Sequence, residues 1–105
     1  MPGLESTIQS KILEYLRARP DTYTMKLSDR WMKGYPDILH IQGGQAYFFE
    51  VKRPGGKKQP LQIFTIQELR KAGAQAHFVE SLDEVKQILK KGGELWQKFN
   101  QNTKC

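Results

Sequence analysis

The chain has 105 residues, of which 38% are hydrophobic, a length that suits one domain with a single modest core. Its formal net charge of +6 favours an anionic partner, although charge alone does not distinguish nucleic-acid binding from a solvated basic surface. The single cysteine, Cys105, excludes an internal disulfide framework and a cysteine-based zinc site. No membrane-length apolar run and no signal peptide are recognised, so a cytoplasmic protein is expected.

The first predicted element is an amphipathic helix over residues 4–19. Its apolar stripe contains Ile8, Ile12 and Leu16, which recur at helical spacing. Glu5 falls within this stripe, near its N-terminal end. That position allows two interpretations: Glu5 reaches a metal site as an additional carboxylate, or it only complements the helix N-terminus electrostatically.

After a short predicted strand over 22–26, two β-rich runs over 38–41 and 46–49 flank Gly43 and Gly44. A Gly-Gly dipeptide between such runs is a preferred hairpin turn, so an antiparallel hairpin is predicted. With the two glycines as the turn, the numbers of paired residues sum to 87, a register that the structure can test.

This register places two carboxylates side by side, because Asp37 then lies opposite Glu50. Lys52 is two residues further on and shares their face of the sheet. Leu39 and Phe48 are on the same face, which is therefore at least half buried. Like charges that face each other destabilise a sheet, and buried charges are costly unless paired or coordinated. A hard divalent cation, Mg²⁺ or Mn²⁺, would explain the pair better than an exposed hairpin that carries charges by chance.

The segment after the hairpin is predicted to be a basic loop followed by a helix over residues 60–72. Arg53, Lys57 and Lys58 lie in this loop and are candidates for contact with DNA phosphates, although a plain flexible connector is an alternative. Gln62, in the first turn of the helix, either hydrogen-bonds a phosphate, a base edge or a metal's water, or is a surface residue.

A strand over 74–79 and a helix over 81–91, ending at Gly92 and Gly93, complete the predicted elements. The order is helix, three strands, helix, strand, helix, which predicts an α/β fold with a mixed sheet flanked by helices. The crossover helix makes the third and fourth strands parallel. We expect a single domain over 1–93 and a tail over 94–105 that docks as a helix or is partly disordered. His40 and His77, on predicted strands, are interpreted as packing or surface residues.

Pro36-Asp37 followed by Glu50-Val51-Lys52 matches the PD-(D/E)XK nuclease pattern, which is loose when taken alone. The wider context is more specific: Glu5 on the first helix, the run 34–37, the run 50–56, and Gln62 with Phe64 opening the next helix. Over residues 5–84 the chain resembles the virus-type replication-repair nuclease (VRR-NUC) family, and in particular its small stand-alone phage and bacterial members.

The resemblance implies a restriction-endonuclease-like fold and a nuclease, of a kind used in DNA repair, that requires Mg²⁺ or Mn²⁺. The metal ligands it implies are Asp37, Glu50, the carbonyl of Val51 and Glu5, with Lys52 as the catalytic lysine and Gln62 in a supporting role. It also implies a homodimer that acts on branched DNA such as four-way junctions, in a bacterial or phage-infected cell. Apolar residues available for dimerisation, or for capping the protein's own core, are Trp31, Leu95, Trp96 and Phe99.

Two other functions compete with a structure-selective nuclease. One is a non-catalytic basic DNA-binding module with a vestigial acidic pair, against which the joint retention of Asp37, Glu50 and Lys52 argues. The other is a restriction-type endonuclease that reads a duplex sequence. So short a chain offers little surface for reading bases in a groove.

Overall fold

The computed structural model describes residues 2–27 and 33–102, with side chains over 3–27 and 33–93. Three helices and a four-stranded sheet make up this part of the chain. No helix in it is both long and apolar enough to span a membrane. The elements in chain order are α1 (Pro2–Arg17), β1 (Thr22–Lys26), β2 (Ile38–Gln42), β3 (Gln45–Val51), α2 (Pro60–Lys71), β4 (Gln75–Val79) and α3 (Leu82–Asn102).

The sheet has the strand order β1-β2-β3-β4 and is mixed, as the sequence predicts. β1 and β2, and β2 and β3, pair antiparallel, whereas β3 and β4 are parallel. The predicted hairpin register is confirmed, since Ile38 lies opposite Phe49 and Gln42 lies opposite Gln45. Gly43 and Gly44 both have positive φ, of 59° and 76°, the backbone conformation that a tight two-residue hairpin turn requires.

The main core lies between one face of the sheet and the helices α1 and α3. Alternate residues of the strands point to this face, and the amphipathic stripe of α1 packs on them. The fully or almost fully buried members are Ile12, Leu13, Leu16, Ile38, Tyr47, Phe49, Val51, Val79, Val85 and Leu89. On the opposite face α2 covers β4, with Ile66 and Ala76 buried.

His40 is a fully buried residue on the α1 side of the sheet. Its Nδ1 lies 2.7 Å from Oγ1 of Thr24, and its Nε2 lies 3.0 Å from Oε1 of Gln42. Burial lowers the pKa of His40, so the neutral ring is favoured. His40 is therefore a satisfied packing residue, one of its two expected roles.

The end of the last helix is the main correction to the predicted elements. The chain was expected to leave the helix at Gly92 and Gly93, but α3 continues to Asn102. A helical glycine costs only about 1 kcal/mol, which other interactions readily offset. Packing explains why a glycine occupies position 92, because a Cβ there would overlap the hydroxyl of Tyr47. The backbone of 94–102 is thus helical, and the division of the chain at 93/94 stays a prediction.

Smaller differences concern α1, which begins at Pro2 and ends at Arg17, slightly earlier at both ends than predicted. One half of the predicted capping box of α3 is present, since the Glu84 amide donates to Oγ of Ser81 at 3.2 Å.

Trp31 lies outside the described residues. The side chains of Leu95, Trp96 and Phe99 lie outside the described part as well, so the roles expected of these four residues stay predictions.

Candidate active site

The hairpin brings Asp37, Glu50 and Lys52 to one end of the sheet. Asp37 directly precedes β2, and its Oδ2 accepts a hydrogen bond of 2.9 Å from the backbone N–H of Val51. Its own carbonyl accepts from the Leu27 amide at 2.8 Å, which ties this position to the end of β1. Nζ of Lys52 lies 3.7 Å from Oε2 of Glu50. The three charged groups therefore share one small volume.

Helices complete the site from both sides. Glu5 and Gln9, one turn apart on α1, line a cleft of about 340 Å³ together with Asp37 and Glu50. Gln62, in the first turn of α2, lines the same cleft and donates through Nε2 to Oε2 of Glu50 at 3.0 Å. Every side chain for which the sequence predicts a catalytic role thus lies in one place, although their roles stay predictions.

The start of α2 packs closely against Gly34, and this contact places the helix beside the two carboxylates. A Cβ at Gly34 would overlap the side chain of Leu61, the residue before Gln62. The φ of Gly34 is +83°, a conformation that side-chain-bearing residues rarely adopt. The glycine of the 34–37 run is therefore required for two reasons, the backbone turn before Asp37 and the packing of α2 against that turn.

Glu50 is an unusual carboxyl group because it is only 4% exposed. Desolvation, followed by repulsion from Asp37, raises its pKa from 4.5 to about 8, although Lys52 acts in the opposite direction. Desolvation also raises the pKa of Asp37, against the hydrogen bond from Val51, and the charge of Glu5 raises it further. The site is therefore short of positive charge, even with the Lys52 ammonium in it.

The donor set fits a hard divalent cation. Oε1 of Glu50 is buried and has no hydrogen-bond partner among the described residues. A bound cation would supply the missing interaction for this oxygen. Within the described residues no group of three or more His, Cys, Asp or Glu side chains is arranged to hold a metal by itself. Mg²⁺ needs no such group, since it is commonly held by one or two carboxylates and keeps several waters.

The basic residues of the following loop lie outside the cleft lining. Arg53, Lys57 and Lys58 are all exposed, and Nζ of Lys58 lies 4.8 Å from the ring centre of Phe78. The loop is not a free connector, because the Gly55 amide donates to Oε2 of Glu80 at 3.1 Å. These three residues are available to phosphates beside the cleft, and their contact with DNA stays a prediction.

Sequence reasoning missed three residues that line the cleft, namely Ser6, Gln9 and Tyr35. Gln9 also acts on Asp37, since its side chain favours the charged form of that carboxyl and lowers its pKa. A signal for Gln9 was available, because it lies four residues after Glu5 on the same side of a helix. Tyr35 directly precedes Pro36-Asp37, and its exposure became visible only in the folded chain.

Comparisons with known proteins agree with this architecture. No family model matches the sequence, and no curated protein matches it. Among solved structures, a VRR_NUC domain superposes with a TM-score of 0.70 at 30% identity, over 83% of this chain and 95% of that chain. A second VRR_NUC domain protein has a TM-score of 0.69 at 20% identity, over 84% of this chain and 86% of the other. With its α/β fold and the cleft between Asp37 and Glu50, the chain belongs to the VRR-NUC family and is a nuclease-type domain.

Proposed function

We propose that this chain is a nuclease that hydrolyses phosphodiester bonds of DNA and requires a divalent cation, Mg²⁺ or Mn²⁺. The observation that carries the proposal is the buried Oε1 of Glu50, which has no hydrogen-bond partner in the described part of the chain and lies next to a second carboxylate. The hydrogen bonds from Val51 and Gln62 hold the two carboxyl groups in place but do not offset their desolvation and mutual repulsion, whereas a cation would favour the charged form of both.

In this proposal Asp37, Glu50, the Val51 carbonyl and Glu5 hold the cation. When bound, the cation supplies Lewis acidity, which polarises a phosphate oxygen and makes water a better nucleophile. Gln62 keeps Glu50 in place through its hydrogen bond of 3.0 Å.

Lys52 is the one cation of the chain that lines the cleft, as far as the described residues show. In this proposal it orients or deprotonates the attacking water, or it stabilises the negative charge that develops on the phosphate. Deprotonation of the water requires the neutral amine, whereas the other two roles suit the ammonium. Hydrolysis forms a bond between the water oxygen and phosphorus and breaks one phosphorus–oxygen ester bond. A base takes one proton from the attacking water, and the departing sugar oxygen takes up a proton and leaves as a hydroxyl group.

The decisive experiment is incubation of the protein with linear, flapped and four-way-junction DNA in Mg²⁺, in Mn²⁺ and in EDTA. We expect cleavage with a metal and none in EDTA. Asp37→Ala, Glu50→Ala and Lys52→Ala should each reduce cleavage by about 100-fold or more while the protein stays folded. Glu14→Gln, which changes an exposed carboxyl on α1, is the matched control and should cut at the wild-type rate. Cleavage by Asp37→Ala at the wild-type rate would contradict the mechanism.

The same panel separates the competing functions. We propose a preference for branched DNA, so flaps or junctions should be cut faster than linear duplex. Efficient cutting of linear duplex at one defined sequence would instead identify a restriction-type endonuclease. Binding without cleavage under every metal condition would identify a non-catalytic DNA-binding module.

A homodimer belongs to the proposal because a junction resolvase must cut two strands, and the described residues form one cleft with this pair of carboxylates. Two copies related by a two-fold axis would present two clefts to a two-fold symmetric substrate. Sedimentation at micromolar concentration tests this, and a strict monomer that still cuts junctions symmetrically would show that the DNA brings the two clefts together.

A further inference from the structure

We infer that three exposed apolar side chains beside the cleft, Tyr35, Leu61 and Phe64, bind an unpaired base of the DNA next to the phosphate that is cut; the inference rests on the proposed nuclease function. These side chains are 47%, 50% and 57% exposed, respectively. We refer to them as the apolar rim. Adjacent exposed apolar residues on a charged surface usually mark a site of interaction.

The rim is continuous because the approach of α2 to the 34–37 turn joins its parts. Leu61 packs directly over Gly34, the neighbour of Tyr35 in the chain. Phe64 follows Leu61 by three residues on α2, so the two side chains lie on the same side of the helix. The rim therefore runs from the turn before Asp37 along the first turns of α2.

Tyr35 belongs both to the apolar rim and to the lining of the cleft, so it connects the rim to the proposed site of phosphodiester hydrolysis. Tyr35 lines the cleft together with Asp37, Glu50 and Lys52, and it is also 47% exposed to solvent. A phosphate held next to Lys52 would bring its attached nucleoside to the edge of the cleft, where an exposed aromatic face is available. The partner must carry both a phosphate and a flat apolar group, which a nucleotide does.

An unpaired base suits this surface better than a base pair. Bases stack on exposed aromatic side chains whatever their sequence, because every base has a π-face. In an intact duplex both faces of a base are already covered by its neighbours, so the tyrosine ring would have to displace one of them. Flaps, branch points and single strands offer a free face. The exposed basic residues Arg53, Lys57 and Lys58, together with the net charge of +6, attract the phosphates of such a strand.

The test compares DNA affinities in EDTA, so that it does not depend on cleavage. Fluorescence anisotropy would give Kd for a short single strand, for its blunt duplex, and for the duplex with an unpaired flap. Tyr35→Ala should weaken binding of the single strand and the flap by about tenfold and change duplex binding little. Tyr35→Phe keeps the ring and should bind like wild type. Phe64→Ala should give a smaller loss of the same selectivity.

Tyr23→Ala is the matched control, since Tyr23 is 58% exposed but lies on β1 and does not line the cleft. It should leave all three Kd values unchanged. A second readout is 2-aminopurine at the unpaired position, whose fluorescence should change on binding wild type or Tyr35→Phe but not Tyr35→Ala. Thermal unfolding of each variant confirms that the fold is retained.

Three results would overturn the inference. They are an equal loss of single-strand and duplex binding in Tyr35→Ala, no loss at all, or a rim substitution that abolishes self-association and leaves DNA affinity unchanged. Failure of the proposed function is distinguishable from these, because it would show as absence of cleavage in Mg²⁺ and Mn²⁺ whatever the Kd series gives.

Discussion

Gln62 on α2 is bonded to Glu50 on β3, with 3.0 Å between Nε2 of the amide and Oε2 of the carboxyl group. The other end of the same amide accepts a hydrogen bond of 3.1 Å from the backbone N–H of Gln59, the cap of α2. One side chain thus connects the start of a helix to a buried carboxyl group. The geometry of the site and the position of α2 depend on each other.

Gln62→Ala should therefore affect both stability and activity. Because it removes the partner of a buried carboxyl and part of a helix cap, we expect a loss of about 1–3 kcal/mol in the free energy of unfolding. Cleavage should fall as well, since Lys52 is then the remaining partner of Glu50 among the described side chains. Urea unfolding and single-turnover cleavage would measure the two effects. Gln67→Ala, an exposed position on the same helix, should change neither, and a Gln62→Ala protein with wild-type stability would contradict the coupling.

Glu50 should make the metal-free protein less stable as the pH rises. Its pKa is about 8 in the folded chain against 4.5 when unperturbed, so the folded state binds this proton more tightly than the unfolded state does. The stability from Glu50 is fully present below pH 4.5 and is lost as the pH rises to about 8. Inside this window the loss is at most about 1.4 kcal/mol per pH unit.

The measurement is urea unfolding in EDTA at several pH values, with Glu50→Gln as the variant that cannot ionise. The difference in stability between wild type and Glu50→Gln should move in favour of the variant as the pH rises through the window. Addition of Mg²⁺ should reduce the pH dependence of wild type, because a bound cation stabilises the ionised carboxyl. A difference that stays constant with pH would show that Glu50 ionises normally.

The two glycines in α3 should respond in opposite ways to the same substitution. Gly93→Ala adds a methyl group that would meet no described atom within 4 Å other than those of its chain neighbours and its own helix backbone, and it should stabilise the helix by about 1 kcal/mol. Gly92→Ala would push against the Tyr47 hydroxyl, and we expect a net loss of about 1–3 kcal/mol despite the better helix propensity. Thermal or urea unfolding measures both. In the double variant with Tyr47→Phe, the Gly92→Ala loss should become smaller, whereas equal gains at the two positions would contradict the contact.

DNA binding should weaken steeply as salt is added. Arg53, Lys57 and Lys58 are exposed beside the cleft, and each phosphate contact that they make releases counterions. Replacement of each by Ala should reduce the slope of log Kd against log salt concentration by about 1. Lys71→Ala is the control, because Lys71 lies at the far end of α2 and pairs with Glu68. An affinity that does not change between low and moderate salt would mean that the basic surface is only solvated.

The juxtaposition of Asp37, Glu50 and Lys52 could be predicted because a hairpin is a local structure. Gly43 and Gly44 define the turn and therefore the register, and the alternation of side chains along the two strands then places the three charged residues on one face. The helix end at Gly92 could not be predicted in the same way. Its glycines weaken the helix locally, but Gly92 packs against Tyr47, which is far away in the sequence. Local propensity favours a stop there, and a long-range contact overrides it.

The sequence by itself determined the order of elements, the register of the hairpin and the family, since each depends on residues close together in the chain or on their pattern. Only the tertiary structure decided how deeply Glu50 is buried, that Gln62 and Gln9 act on the two carboxyl groups, and that Leu61 joins Tyr35 to Phe64. The physical reason is that desolvation and packing depend on which surfaces meet. Here α1 and α2 enclose one end of the sheet, and the residues of the strands do not by themselves show which helices will cover them.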